Sequence, residues 1–488
     1  AHGPAKEGST TAKALDRAWK LVLLNQFHDI LPGSSIGRVY QDSRRDYEVI
    51  ERIALTVRGA ALERLVAGGG GGHGHSGADN QPQEEKSGHW TVFNTLAQER
   101  TEIITLPDGT HRPVTVPSCG YAVVEAGAGT APSPAEEITL TENAGAWILA
   151  NALLRLELAA DGTLTSVRDL GAGGREVLSG PGNELHLLRD YPNRWNAWDI
   201  EASAMEDFEV VGRGAEIRVL ESGPLLAALE IVRSFGASRV TQRLVLRAGS
   251  RRVDFETTVD WRERHRVLKV SFPLAVRTDH AVCEIQNGHV SRAVHRNTSW
   301  DAARFEIPVQ QWISLNESGY GVALLNNGIF GCDVEHSRVR LTLLKAGSAP
   351  DPDADRGVHS RLFSLFPHPG TPQSGGVAAE AMALNVPLLA VPGAISGPTA
   401  QSWLSFDHPG VRVDAFKRAE DGQGVVLRIH EDDGGSVTVR LGTTLPGLRF
   451  QETDLLETPL PQAGAVLPGA VTLRAFDLRT FRSRPPEA

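Results

Sequence analysis

Between residues 11 and 66, apolar side chains recur at helical spacing. Leu15, Trp19, Val22, Leu23 and Phe27 share one face, and Pro32-Gly33 break the pattern. A second run places Ile36, Tyr40, Tyr47, Ile50, Ile53, Leu62 and Leu65 at i, i+3, i+4 intervals. The two runs predict a helical hairpin, part of a bundle, over residues 1–67. The stretch 68–88 opens on five glycines, passes His73 and His75, and continues polar to Gly88. It has no apolar surface to bury and reads as a mobile linker, with nothing to fix its two histidines as metal ligands. Beyond His89 the period falls to two, as in Leu153-Leu154-Arg155-Leu156-Glu157-Leu158 and Val253-Asp254-Phe255-Glu256-Thr257-Thr258-Val259, with Gly, Pro and Asp between the runs. Short strands with turn chemistry predict β-sandwiches: a small β-unit at 89–136, a large sandwich at 137–390 and a C-terminal sandwich at 391–488. Pro387, Pro392 and Pro398 mark the last boundary.

Length and charge narrow the classes of function. A chain of 488 residues is long enough for several domains with large cores. Its net charge of -10 argues against nucleic acid and anionic membranes as partners. Three scattered cysteines, Cys119, Cys283 and Cys332, form neither a disulfide framework nor a zinc-ribbon spacing, which points to a reducing, cytoplasmic setting. No signal-peptide pattern or membrane-length apolar run appears.

The candidate chemistry begins at Asn25-Gln26-Phe27-His28-Asp29-Ile30-Leu31-Pro32-Gly33-Ser34-Ser35. Here an imidazole, a borderline-soft donor suited to zinc, sits beside a carboxylate where a helix ends. The same pair can simply close a helix near its negative dipole end. Trp195, Trp198 and Asp199 form an aromatic and acidic cluster of the kind that stacks on sugar rings and accepts their hydroxyls, or a buried Trp pair with a turn Asp. Arg356, in Asp355-Arg356-Gly357-Val358-His359, is a substrate contact or the centre of a surface ion pair. His368, in Phe366-Pro367-His368-Pro369, reads as a structural turn residue.

Residues 19–47 closely resemble the start of the non-catalytic half of the family 38 α-mannosidases. The likeness continues, in family order, through Thr91-Val92-Phe93-Asn94, the stretch from Asp190 to Ile200, Val259-Asp260-Trp261-Arg262-Glu263, the stretch from Arg296 to Asp301, and Asp355 to His359. It implies a mainly β fold: a short α-helical hairpin from a helical bundle, then β-sandwich domains that include a large mutarotase-like super-sandwich. It implies that His28 is a zinc ligand, that Asp29 contacts the metal-bound sugar, and that Trp198, Asp199 and Arg356 line the sugar cleft. The substrates implied are mannosides or mannose-containing oligosaccharides, and the reaction is hydrolysis with retention. The nucleophile and acid/base carboxyls belong, in the family, to an N-terminal catalytic barrel domain that this sequence does not contain. The chain is therefore expected to be the C-terminal portion of such an enzyme, to need that domain as a partner, and to be inactive alone. One residue departs from the pattern: Asn196 stands where an acidic residue is expected before Ala-Trp-Asp. Two other readings stay open, a carbohydrate-binding β-sandwich module without catalysis and a structural scaffold for a separate catalytic domain.

Overall fold

The computed structural model describes residues 10–67, 88–127, 137–460 and 466–483. The expected linker therefore lies, apart from Gly88, outside the described residues. The fold is mainly β, with two long helices at its start, α1 (Thr10–Asn25) and α2 (Gly37–Val66). It divides into two compact units: residues 1–24, 44–130 and 386–488 in one, and residues 25–43 and 131–385 in the other.

The helices form where the periodicity placed them, but α1 turns a different side inward. Ala18 and Asn25 are buried and Ala14, Leu21 and Val22 half-covered, while Leu15, Trp19 and Leu23 are exposed. The predicted face joined two stripes that the structure separates: Val22 lies on the covered side, while Leu15, Trp19 and Leu23 point to solvent. No residue of α2 is buried, although Val39, Ser43, Asp46, Ile50, Ile53 and Val57 are half-covered at alternating spacings of four and three. That spacing marks one stripe along the helix as its covered side.

In the first unit, His89–Asn94 pairs with Gly120–Glu125, and this pair is flanked by Leu389–Pro392 and Ala400–Ser402 in one four-stranded sheet. Chain segments some three hundred residues apart thus close a single sheet, and Thr91 Oγ1 donates to the Gly393 carbonyl at 2.8 Å. The C-terminal residues build a sandwich of a three-stranded and a five-stranded sheet around Leu427, Ile429, Val439, Phe450, Val471 and Phe481.

The second unit holds nine-, six- and five-stranded sheets that share one apolar core. Alternation produces it directly: in Val253–Trp261, Phe255, Val259 and Trp261 are fully buried, while Glu256 and Thr258 point outward. Phe255 lies 5.1 Å from Phe363 and 5.7 Å from Phe272, ring to ring, which ties the nine-stranded sheet to the six-stranded one. Burying one such ring stabilises by roughly 1.5–3 kcal/mol. A charged cluster lies within the six-stranded sheet, where Lys269 meets Glu306 and Asp333, and Arg340 bonds Asp333 at 2.8 Å. His368 sits in the strand Gly357–Pro369 rather than in a turn, fully buried, with Nε2 2.9 Å from Ser314 Oγ.

Candidate functional site

Helix α1 stops at Asn25, so His28 and Asp29 stand in the turn beyond it. The turn is set locally. The amides of Ile30 and Leu31 both donate to the Phe27 carbonyl, at 2.8 and 3.0 Å, and Gly33 takes φ +80, a left-handed conformation that glycine adopts without strain. The Tyr40 hydroxyl accepts from the Ser35 amide at 2.7 Å and donates to the Asp29 carbonyl at 3.4 Å, so the start of α2 clips the turn. His28 Nε2 lies 3.4 Å from Asp29 Oδ2, and the imidazole leans on the Phe27 ring at 4.3 Å. Both side chains are open, 75% and 48% exposed, so their donor atoms are free to meet a ligand.

Ser34, six residues after His28, lines a cavity of about 520 Å³ together with residues 192–198, Ala349 and Pro350. The connection between α1 and α2, through Ser34, the aromatic loop and the loop before Arg356 therefore meet at one pocket within the second unit, whose lining includes neither His28 nor Asp29. The start of α2 abuts the third of these, since a Cβ on Gly37 would lie 2.9 Å from Asp351 Oδ1. The volume falls within the range of small-ligand sites.

The aromatic loop is held from beneath. Buried Asp190 meets Lys345, whose ammonium also donates to the Asn196 carbonyl at 3.0 Å. Burial pushes the Asp190 carboxyl above its ordinary value, against the opposing pull of Lys345. Asn196 Oδ1 accepts from the amides of Ser348 and Ala349, which pins the two loops to each other. The unexpected residue in the sequence is thus a loop clamp, working through an acceptor oxygen that Asn and Asp share. Trp195 takes φ +57, rare for a large side chain, and its carbonyl accepts from the amides of Trp198 and Asp199 at 2.7 and 2.9 Å. Tyr191 stacks on His265 at 4.8 Å. Trp195 and Trp198 are 72% and 57% exposed, so their ring faces are available to a ligand.

The structure does not gather every candidate to the same degree. Trp198 lines the pocket, and Asp199 follows it with Oδ1 capping the Ile200 amide at 2.9 Å. Arg356 does not line the pocket. Its guanidinium pairs with Asp353 at 3.0 Å, and that carboxylate also receives Arg264 at 2.7 Å. Ser34, Lys345 and Asp190 were not among the sequence candidates. Ser34 and Asp190 stand inside segments singled out in the sequence, but their roles, like that of Lys345, depend on partners some 150 or more residues away. For zinc, His28 offers one exposed imidazole, a donor of the right type. Among the described residues no group of three or more His, Cys, Asp or Glu side chains could hold a metal ion, and a catalytic zinc takes about three protein donors. Among those residues, too, no helix is long and apolar enough to cross a membrane.

The fold is that of a glycoside hydrolase family. Residues 4–65 match the alpha mannosidase middle domain, residues 149–353 the glycosyl hydrolases family 38 C-terminal domain, and residues 410–481 the family 38 C-terminal beta sandwich domain. The chain belongs to glycosyl hydrolase family 38, the α-mannosidase family. It is 38% identical to alpha-mannosidase 2C1 of Homo sapiens over 95% of its length, and 28% identical to alpha-mannosidase G of Dictyostelium discoideum over 96%. It spans 44% and 48% of those proteins, somewhat less than half of each. The crystal structure of an alpha-mannosidase from Enterococcus faecalis superposes with a TM-score of 0.77 at 17% identity, over 96% of this chain and 63% of that one, and shows the same fold.

Proposed function

We propose that this chain is the C-terminal portion of a zinc-dependent, retaining α-mannosidase that removes terminal α-mannosyl residues. The observation that carries the reading is the pocket where Ser34, five residues beyond Asp29 in the same connection between the helices, meets the exposed rings of Trp195 and Trp198. His28 supplies one imidazole to the metal, and Asp29 beside it accepts sugar hydroxyls. Trp198 offers a ring face to the sugar, with Asp199 at its edge. Arg356 joins the cleft only by exchanging Asp353 for substrate. Zinc, when bound, would polarise and orient the mannose hydroxyls. The metal needs donors beyond His28, and hydrolysis with retention needs two carboxyls roughly 5 Å apart across the anomeric carbon. In this reading both come from a catalytic domain outside the chain, and the protein works in the cytoplasm on mannosides or mannose-containing oligosaccharides.

The test is an assay of the purified chain with an aryl α-mannoside and added zinc or cobalt, alone and joined to the part of human alpha-mannosidase 2C1 that it does not span. No turnover is expected from the chain alone, because nucleophilic and acid/base steps each need a placed carboxyl group. In the joined protein, His28→Ala should lose zinc and activity together, with partial rescue by excess zinc. Asp29→Asn should lose activity with zinc content unchanged. Turnover by the unassisted chain on the order of 1 per second, or full zinc and activity in His28→Ala, sinks the reading.

A further inference from the structure

The first unit holds a cavity of about 570 Å³ that takes no part in the candidate sugar site. Its walls are largely apolar and come from three parts of the chain: Leu62 and Leu65 of α2, Phe93 of the strand His89–Asn94, and Trp403, Val413 and Phe416 of the C-terminal segment. The volume falls within the range of small-ligand sites. Trp403 is fixed before anything binds: its ring lies 5.5 Å from Tyr121 and 6.3 Å from Phe93, and its amide donates to the Cys119 carbonyl at 3.1 Å. Leu65 and Phe416 are 40% and 43% exposed, so the side they form is open to an incoming molecule.

The polar groups at the cavity decide what it can hold. No Lys or Arg lines it, and its one carboxylate, Asp414, is taken by His430, whose Nδ1 lies 2.9 Å from both oxygens. An ionised ligand would lose its water there without gaining a counter-charge. The Asn94 side chain is spent on the Gln98 and Pro117 carbonyls and the Leu96 amide, which leaves few partners for the many hydroxyls of a sugar. The Trp403 indole N–H meets no acceptor among the described residues, although such a group ordinarily finds one when it is covered. We propose that this cavity binds a small neutral aromatic molecule, its ring packed among Leu65, Phe93 and Phe416 and an oxygen accepting from the Trp403 indole N–H. The site lies within one unit and stands whether or not the chain serves a mannosidase.

Prôdan-type fluorescence tests it with prodan, a neutral naphthyl ketone whose emission moves to the blue in apolar surroundings. Titrated into the full chain, prodan is expected to give saturable, blue-shifted emission with one site per chain. At about ten times its Kd it should slow N-ethylmaleimide modification of Cys119, which also lines the cavity, about tenfold. Cys283 and Cys332 are buried, so the labelling reports on Cys119. Phe416→Asp and Leu65→Asp set a carboxylate in the open side and should each weaken binding about tenfold or more. Leu456→Asp, at an exposed apolar position outside the lining, should leave it unchanged. Trp403→Phe removes the donor and should weaken binding about threefold to tenfold. Emission that never saturates, or saturation without protection of Cys119, overturns the proposal in the parent chain, where no substitution can disturb folding. So does full affinity in Phe416→Asp and Leu65→Asp, equal weakening in Leu456→Asp, or full affinity in Trp403→Phe.

Discussion

The helical segment and the large sandwich solve burial in opposite ways. In Val253–Trp261, four of the residues facing the core are apolar and wholly inaccessible. Across the forty-six helical residues of α1 and α2, only Ala18 and Asn25 are buried. A sheet stacked on other sheets encloses its apolar face by itself, because neighbouring strands and the facing layer cover each side chain. A helix pair covers one stripe per helix and leaves the rest to other elements. The candidate metal ligand, His28, lies just beyond α1. The second unit holds the pocket, and the helices leave Leu15, Trp19 and Leu23 exposed.

The strongest way to break that contrast is to truncate one side chain in each region. Phe255→Ala should cost about 3–5 kcal/mol, since it opens a cavity between Phe272 and Phe363. Leu23→Ala should stay within about 0.5 kcal/mol, since the side chain is already wet. Denaturant titrations of the two variants measure both. A large cost at Leu23 would mean that the chain by itself covers that side chain.

A smaller effect separates the two sandwiches by pH. Burial holds the His368 imidazole at about 4 in the large sandwich, below its ordinary 6.5. The fold favours its neutral form, so the stability it contributes is present above pH 6.5 and lost as pH falls toward 4. In the C-terminal sandwich, burial lowers His430 as well, but the carboxylates of Asp414, 2.9 Å away, and Asp432 outweigh it and hold the imidazole at about 9. Its contribution is present below pH 6.5 and lost as pH rises toward 9. Each effect is on the order of 3–4 kcal/mol at most, at roughly 1.4 kcal/mol per pKa unit. Thermal melts across pH 4–9 should show an acid limb that weakens in His368→Gln and an alkaline limb that weakens in His430→Gln. Unchanged limbs in both variants would show that other groups set the profile.

The smallest expected effect is at the clamp. Asn196→Ala removes the acceptor for the Ser348 and Ala349 amides and should loosen the 347–350 loop by about 1–2 kcal/mol, with little change in global stability. Asn196→Asp keeps the acceptor and should behave like the parent. Amide exchange at Ser348 and Ala349 reports the difference directly. Equal exchange in Asn196→Ala and the parent would remove the clamp from the account of the pocket.

What could be read from the chain was what depends on near neighbours. The periods of 3.6 and 2, the break at Pro32-Gly33 and the ordered family segments placed the helices, the β-rich remainder and the His28-Asp29 turn, because each is written within a few consecutive residues. Other features needed the fold. Periodicity marks residues that could share a face, but not which side a neighbour covers, so Leu15, Trp19 and Leu23 were grouped with Val22 where the structure exposes them and half-covers it. The sheet joining His89–Asn94 to Leu389–Pro392 depends on the pairing of segments far apart in sequence. The support beneath Trp195 and Trp198 depends likewise on Lys345 reaching Asp190 and Asn196 across about 150 residues. Such contacts are set by which surfaces meet when the layers close, and local sequence carries no record of that choice.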